Sequence, residues 1–247
     1  MVNIQCPKQT FTGVKALIFD KDGTLARSEP YLLSLAQRRA QFVAAQVPGT
    51  EALLLSAFGA TANQINPAGL MAVGSRQESL IGAAAYVTAQ GHSWMAALTI
   101  VEHAFAAADQ ALPVKASQTQ PIAGTLAALT HYHQQGLKLA VISADIAANI
   151  QAFLNQYQLA PLISAIAGAD QPPSKPDPDC FRRVCQQPGV QPQQALMVGD
   201  SEADLRMAQG ANALGTIGVT WAWAIAPQLP TADVVLNTWQ DLLILVD

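Results

Sequence analysis

Short apolar runs that stop abruptly at a polar residue recur along this chain. Residues 14–19 (VKALIF) end at Asp20, residues 137–142 (LKLAVI) at Ser143, residues 162–167 near Gly168 and Asp170, and residues 195–198 (ALMV) at Gly199 and Asp200. Each run predicts a buried parallel strand whose carboxyl end hands a side chain to a loop. Residues 214–219 and 234–236 predict two further strands, followed by a short terminal helix. Helix-length segments lie between the runs at 121–135, 146–158, 177–187 and 202–209, the last with Gly210 as a C-cap candidate. Strands alternating with helices specify an α/β fold: an open, mostly parallel sheet covered on both faces, whose polar strand ends collect in one crevice.

Residues 27–112 break this rhythm. They are Ala-rich, carry apolar residues at helical spacing (Leu32, Leu35, Ala36, Ala40; Met95, Leu98, Val101, Phe105) and contain no buried strand pattern. They predict a helical insert in a core made of residues 1–26 and 113–247, with Pro30 on one side and the stretch from Pro113 to Pro121 on the other marking the two connections. The Gln-rich tract 186–194, with Pro188 and Pro192, predicts a polar loop.

Composition narrows the function classes. A chain of 247 residues with 51% apolar and 12% charged residues and a mean hydropathy of +0.22 predicts a compact core. Net charge is −4, with no Lys/Arg cluster, so the electrostatic footprint of a nucleic-acid binder is missing. Cys6, Cys180 and Cys185 have no CxxC or Cys/His spacing; they read as small buried apolar residues in a reducing compartment, without zinc. Residues 1–13 lack the apolar core of a signal peptide, and no run approaches the roughly 20 apolar residues of a membrane span. The expectation is a cytoplasmic protein with neither membrane nor nucleic acid as partner.

Against that background the sequence D20-K-D-G-T-L25 places two carboxylates at alternate positions directly after the first strand, with Gly23 letting the backbone approach a ligand. One carboxylate can attack phosphorus to give an acyl phosphate; the second can protonate the leaving alcohol and then activate water. In isolation the same residues also suit a solvated acidic turn. They do not stand alone, since G199-D-S-E-A-D204 follows another strand and brings Asp200 and Asp204 towards the same crevice. A phosphate dianion beside Asp20 would be repelled, and a hard divalent cation removes that repulsion. Asp20 and Asp200 are the expected direct Mg²⁺ ligands, with the main-chain carbonyl of Asp22 as a third and Asp204 behind them fixing ligands and waters. Asp204 suits a helix first turn equally well.

Ser143 would donate to phosphate oxygens at a helix N-terminus, or cap that helix, or both. Lys175, in S174-K-P-D-P178, lies in a loop flanked by prolines and would neutralise nucleophile and phosphate; a solvated loop lysine is the alternative.

DKDGTL, Ser143, Lys175 and GDSEAD, in this order at strand ends, resemble the four motifs of the haloacid dehalogenase superfamily, and within it most closely the phosphoglycolate-phosphatase-like branch. The resemblance covers nearly the whole chain. It implies a Rossmann-like core, a helical cap domain inserted after the first motif, and a phosphatase acting on a small phosphorylated metabolite. It also implies Asp20 as nucleophile, Asp22 as general acid/base, Ser143 and Lys175 as the phosphate-handling pair, and Asp20, Asp22 and Asp200 as Mg²⁺ ligands. Relatives often read DGTLxDS, where this chain has DGTLARS, so the contacts made at Arg27 differ.

Dehalogenases of this fold need no acid for the leaving halide, so Asp22 argues against that chemistry. A phosphoglucomutase-like phosphotransferase would keep the same residues, and a non-catalytic phosphate-binding protein would have no use for Asp22 beside Asp20. Arg38, Arg39, Arg76, His92 and His103 read as surface charges of the insert, and His131 and His133 as solvent-facing. Trp221 and Trp223 either line the crevice or, the favoured reading, pack under the C-terminal segment.

Overall fold

A computed structural model describes residues 1–245. Its strands are β1 (Val2–Cys6), β2 (Gln9–Val14), β3 (Ala16–Phe19), β4 (Ala26–Arg27), β5 (Gln120–Pro121), β6 (Lys138–Ile142), β7 (Ile163–Ala167), β8 (Ala195–Gly199), β9 (Gly215–Val219), β10 (Val234–Leu236) and β11 (Leu243–Leu245). Its helices are α1 (Glu29–Ala44), α2 (Glu51–Phe58), α3 (Leu70–Val73), α4 (Arg76–Ala89), α5 (Trp94–Gln110), α6 (Lys115–Gln118), α7 (Thr125–Gln134), α8 (Ala147–Gln156), α9 (Pro178–Gln186) and α10 (Glu202–Gly210). They form two compact units: Met1–Arg27 with the chain from Thr119 onward, and Ser28–Gln118.

The first unit is a Rossmann-like core. Six strands pair in the order β10-β9-β8-β3-β6-β7, every pairing parallel. The chain therefore moves from β3 outwards through β6 and β7, returns to β8 on the other side of β3, and continues through β9 and β10. That reversal is the topological switch point of doubly wound folds, the place where ligands bind at the carboxyl ends of strands. Register brings Phe19 level with Val198 and Val141, so β3, β8 and β6 release the chain into their loops at one height.

Strand alternation sorts the side chains between the two faces. Ala16, Ile18, Ala140, Ile142, Ala165, Ala167, Ala195 and Met197 pack in one cluster with Phe181, Val184 and Cys185 of α9 and Met207 and Ala208 of α10. Intervening residues such as Leu17, Phe19, Leu139 and Val141 are buried on the opposite face. Cys6, Cys180 and Cys185 are free, buried thiols.

Two features differ from the sequence expectation. Val14, expected to open the first buried strand, ends β2 of the hairpin β1–β2, and the expected terminal helix is instead a short turn, Trp239–Asp241, followed by β11, which pairs antiparallel with β1. The run LLIL is too short to express a helical period, and Leu243 and Leu245 are exposed on either side of half-buried Ile244, as befits an edge strand. Residues 246–247 of that expected helix lie outside the described residues.

The second unit is helical, with one isolated bridge between Ala60 and Ile65. Helix α1 buries Leu32, Leu35, Ala36 and Ala40, as its spacing predicts. Helix α5 instead turns Ala97, Val101, Ala104, Phe105 and Ala108 inwards and leaves Met95 exposed: with so many alanines, two stripes satisfy the helical period and larger side chains do not choose between them. Arg39, read as a surface charge, is buried, with its guanidinium 2.9 Å from Asp109 and over the Phe105 ring at 4.4 Å. Among the described residues no helix is long and apolar enough to cross a membrane.

Candidate active site

The Asp20 loop turns back on itself through hydrogen bonds from the Leu25 and Ala26 N–H groups to the Lys21 carbonyl and from the Gly23 N–H to the Ala26 carbonyl, all 2.9 Å. The Asp20 N–H donates to the Val198 carbonyl at 2.9 Å, which ties the loop to β8. Gly23 adopts φ +95°, and a Cβ there would sit 2.1 Å from Asp200 Oδ2 and 2.7 Å from Trp223 Nε1. Gly23→Ala is therefore expected to cost at least about 1–2 kcal/mol from the left-handed backbone alone. Displacement of Asp200 would add to this. An unchanged urea midpoint would contradict the close approach.

Asp20, Asp200 and Asp204 are all buried and present oxygen atoms that lie within 4.8 Å of one another. Asp200 accepts from the Thr24 hydroxyl (3.2 Å) on Oδ1 and from the Trp223 indole N–H (2.6 Å) on Oδ2. Asp204, in the first turn of α10, shares a capping box with Ser201 and accepts the Ser201 hydroxyl at 2.6 Å. Its other oxygen meets Lys175 Nζ at 2.6 Å. Helix capping and a place in the cluster are thus combined in one residue.

Lys175 Nζ also donates to Asp20 Oδ1, so a single buried ammonium faces two carboxylates. Its loop is held by Arg183, a residue that sequence reasoning did not single out. The guanidinium donates to the carbonyls of Gln171 (2.6 Å), Pro172 (2.9 Å) and Pro173 (3.1 Å). Burial raises Asp20 to about 6, with Lys175 pulling down and Asp204 pushing up. Burial, then Asp20 and Asp204, push Asp200 well above the usual carboxylate range. Burial works against the Lys175 charge, but the two carboxylates outweigh it and leave the ammonium raised. Asp20 Oδ2 is buried with no hydrogen-bond partner among the described residues. Three carboxylates against one ammonium, with a bare oxygen between them, suit a hard cation with oxygen ligands.

The Asp22 side chain is not a member of this cluster. Its carboxylate is gripped by Lys21 Nζ at 2.8 and 2.7 Å, and Lys21 reaches Asp145 at 3.3 Å and the Phe153 ring at 5.7 Å. The side chain of Lys21 lies towards α8, whereas Asp20 meets Lys175 before α9 and lies near Asp204 of α10. Ser143, at the end of β6, is buried; its N–H donates to the Ala167 carbonyl and its Oγ accepts from the Asp145 N–H at 3.1 Å. It is not the helix cap: the N-cap of α8 is Ile146, and the Ala147 N–H is satisfied by Asp170 at 2.8 Å.

Trp223 lies against Asp200, contrary to the favoured sequence reading. Trp221 divides its loyalties, donating to the Thr24 carbonyl at 2.9 Å while packing on Trp239 at 4.5 Å. No local pattern marks these two indoles, because their partners are about 200 and 23 residues away.

Fold and site together define a doubly wound α/β protein that gathers acidic side chains and one lysine at its switch point. The chain belongs to the haloacid dehalogenase-like hydrolase family, whose model matches residues 14–212. It is 32% identical over 127 residues to phosphoglycolate phosphatase of Salmonella typhimurium, a match covering 49% of this chain and 48% of that protein, so about half the length of the relative is spanned. Its fold is similar to that of a predicted phosphoglycolate phosphatase from Haemophilus somnus 129PT (TM-score 0.69, 21% identity, 93% of this chain and 96% of the other). It is also similar to CbbY from Rhodobacter sphaeroides, solved in complex with phosphate (TM-score 0.57, 19% identity, 92% and 95%).

Proposed function

We propose that the protein is a Mg²⁺-dependent phosphatase that hydrolyses a small phosphate monoester through an aspartyl-phosphate on Asp20, with phosphoglycolate as the first substrate to test. The observation that carries this reading is the buried, partnerless Asp20 Oδ2 inside a cluster of three carboxylates and one lysine. Asp20 and Asp200 would hold the cation, together with the main-chain carbonyl of Asp22, and Asp204 would hold Lys175 in place. When bound, the cation offsets the charge of the phosphate and of the carboxylates.

The chain's own groups supply the rest. Asp20 attacks phosphorus as the ester P–O bond breaks, and Asp22, which must enter the step in its protonated form and leaves it as the carboxylate paired with Lys21, gives its proton to the departing alkoxide. Water then attacks the acyl phosphate, Asp22 takes the proton, and the P–O bond to Asp20 breaks to release inorganic phosphate. Lys175, already fixed by two carboxylates and by a loop under Arg183, needs no reorganisation to neutralise charge on the transferring group. Ser143 is within the same row of strand ends and presents a hydroxyl to a phosphate oxygen. The helical unit is the cap domain and carries substrate choice, and free buried thiols accord with a reducing, cytoplasmic setting.

A panel of small phosphate esters, including phosphoglycolate and hexose phosphates, assayed with and without Mg²⁺ tests the reading. Hydrolysis lost in EDTA and restored by Mg²⁺ is expected. Turnover insensitive to EDTA, or transfer of phosphate to a sugar in place of water, would overturn it.

A further inference from the structure

We propose that Trp223 is a positioning residue for the cation: its indole N–H fixes the orientation of the Asp200 carboxylate that would hold the metal. This rests on the reading above that Asp20 and Asp200 bind a divalent ion.

Asp200 is a buried carboxyl group beside two others, and its orientation is fixed by neutral donors. Two such donors are present, one per oxygen: Thr24 Oγ1 on Oδ1 at 3.2 Å and Trp223 Nε1 on Oδ2 at 2.6 Å. Each oxygen keeps a further lone pair for a cation. The indole is mostly buried, and it reaches Asp200 only because Gly23 has no side chain, since a Cβ there would lie 2.7 Å from Nε1. A buried tryptophan N–H usually finds an acceptor. Trp221, two residues earlier, finds it in the Thr24 carbonyl. Trp223 donates instead to a carboxylate of the acidic cluster. A shorter or longer neighbour could fill its volume, but the N–H is the atom that acts on Asp200.

The full-length chain is titrated with Mg²⁺ alone by calorimetry, and with Mn²⁺ by electron paramagnetic resonance. Trp223→Phe is expected to weaken cation binding by about 10–100-fold, the usual effect of removing a group that orients a metal ligand. Trp221→Phe should stay within about threefold of the wild type. In turnover, the Mg²⁺ needed for half-activation rises for Trp223→Phe while kcat at saturating Mg²⁺ recovers. Binding by Trp223→Phe within about threefold of wild type overturns the proposal and leaves the phosphatase reading intact. A wild type that binds neither ion overturns both. Should Trp223→Phe not fold, the wild type still decides the matter: the indole N–H resonance of Trp223 must shift on Mg²⁺ addition, and a stationary Trp223 signal refutes the idea.

Discussion

Asp20→Asn is expected to abolish turnover and, in the same stroke, to stabilise the protein when no divalent ion is present. The loss follows from chemistry, because an amide cannot attack phosphorus, and kcat should fall by at least about a thousandfold. The gain follows from burial, which raises Asp20 to about 6. Below about pH 4 the carboxyl is protonated in both folded and unfolded chains and costs nothing. As pH rises through about 6, the unfolded chain releases its proton freely while the folded chain must carry a buried charge, so stability is lost across that window and stays lost above it. The difference is about 2–3 kcal/mol at neutral pH. Urea unfolding in EDTA should therefore show a wild-type midpoint that falls from pH 4 to 7 more steeply than that of Asp20→Asn. Adding Mg²⁺ should reverse the order of the two proteins. Turnover by Asp20→Asn within tenfold of wild type would remove Asp20 from the chemistry, and identical pH profiles would remove the electrostatic account.

Lys175→Met should show the opposite balance. The ammonium is the charge shared by Asp20 and Asp204, and removing it leaves two buried carboxylates uncompensated. The expected cost is about 3–5 kcal/mol at pH 8 in EDTA. Part of this returns at low pH, where the carboxyls take up protons, and part returns with Mg²⁺, which replaces one positive charge by two. Activity should drop on the order of 10²–10³-fold even in saturating Mg²⁺, as when a preorganised charge partner of the transition state is deleted. A midpoint unchanged at pH 8, with kcat/KM within about twofold of wild type, would contradict the central role given to this lysine.

The core was legible because its central strands are buried on both faces, which leaves apolar runs ending at polar residues; β3, β6 and β8 announce themselves in this way. The same logic fails for β1 and β2, whose half-exposed residues mix polar and apolar side chains, and for β11, whose three apolar residues are too few to show a period. At the site, Asp20, Asp200, Asp204 and Lys175 could be named from their loops, and the structure brings these four together. Lys21, Trp223 and Arg183 could not. Lys21 looks like a spacer between two acids until the chain leaves β3 and its side chain meets Asp145. Trp223 and Arg183 act on residues that sit beside them only after β9 and α9 have packed.

The central strand of the sheet, β3, has both its neighbours, β6 and β8, far downstream of it, whereas the helical unit is one continuous stretch beginning at Ser28. On the ribosome, the insert can complete its own packing first. At typical rates of synthesis, roughly 10–40 s separate Asp20 from Trp223. For the first part of that interval, until Lys138–Ile142 has been made, the Ala16–Phe19 run has neither of its sheet neighbours to cover it. The acidic loop is made well before Lys175, Asp200, Asp204 and Trp223, the residues that come to surround it.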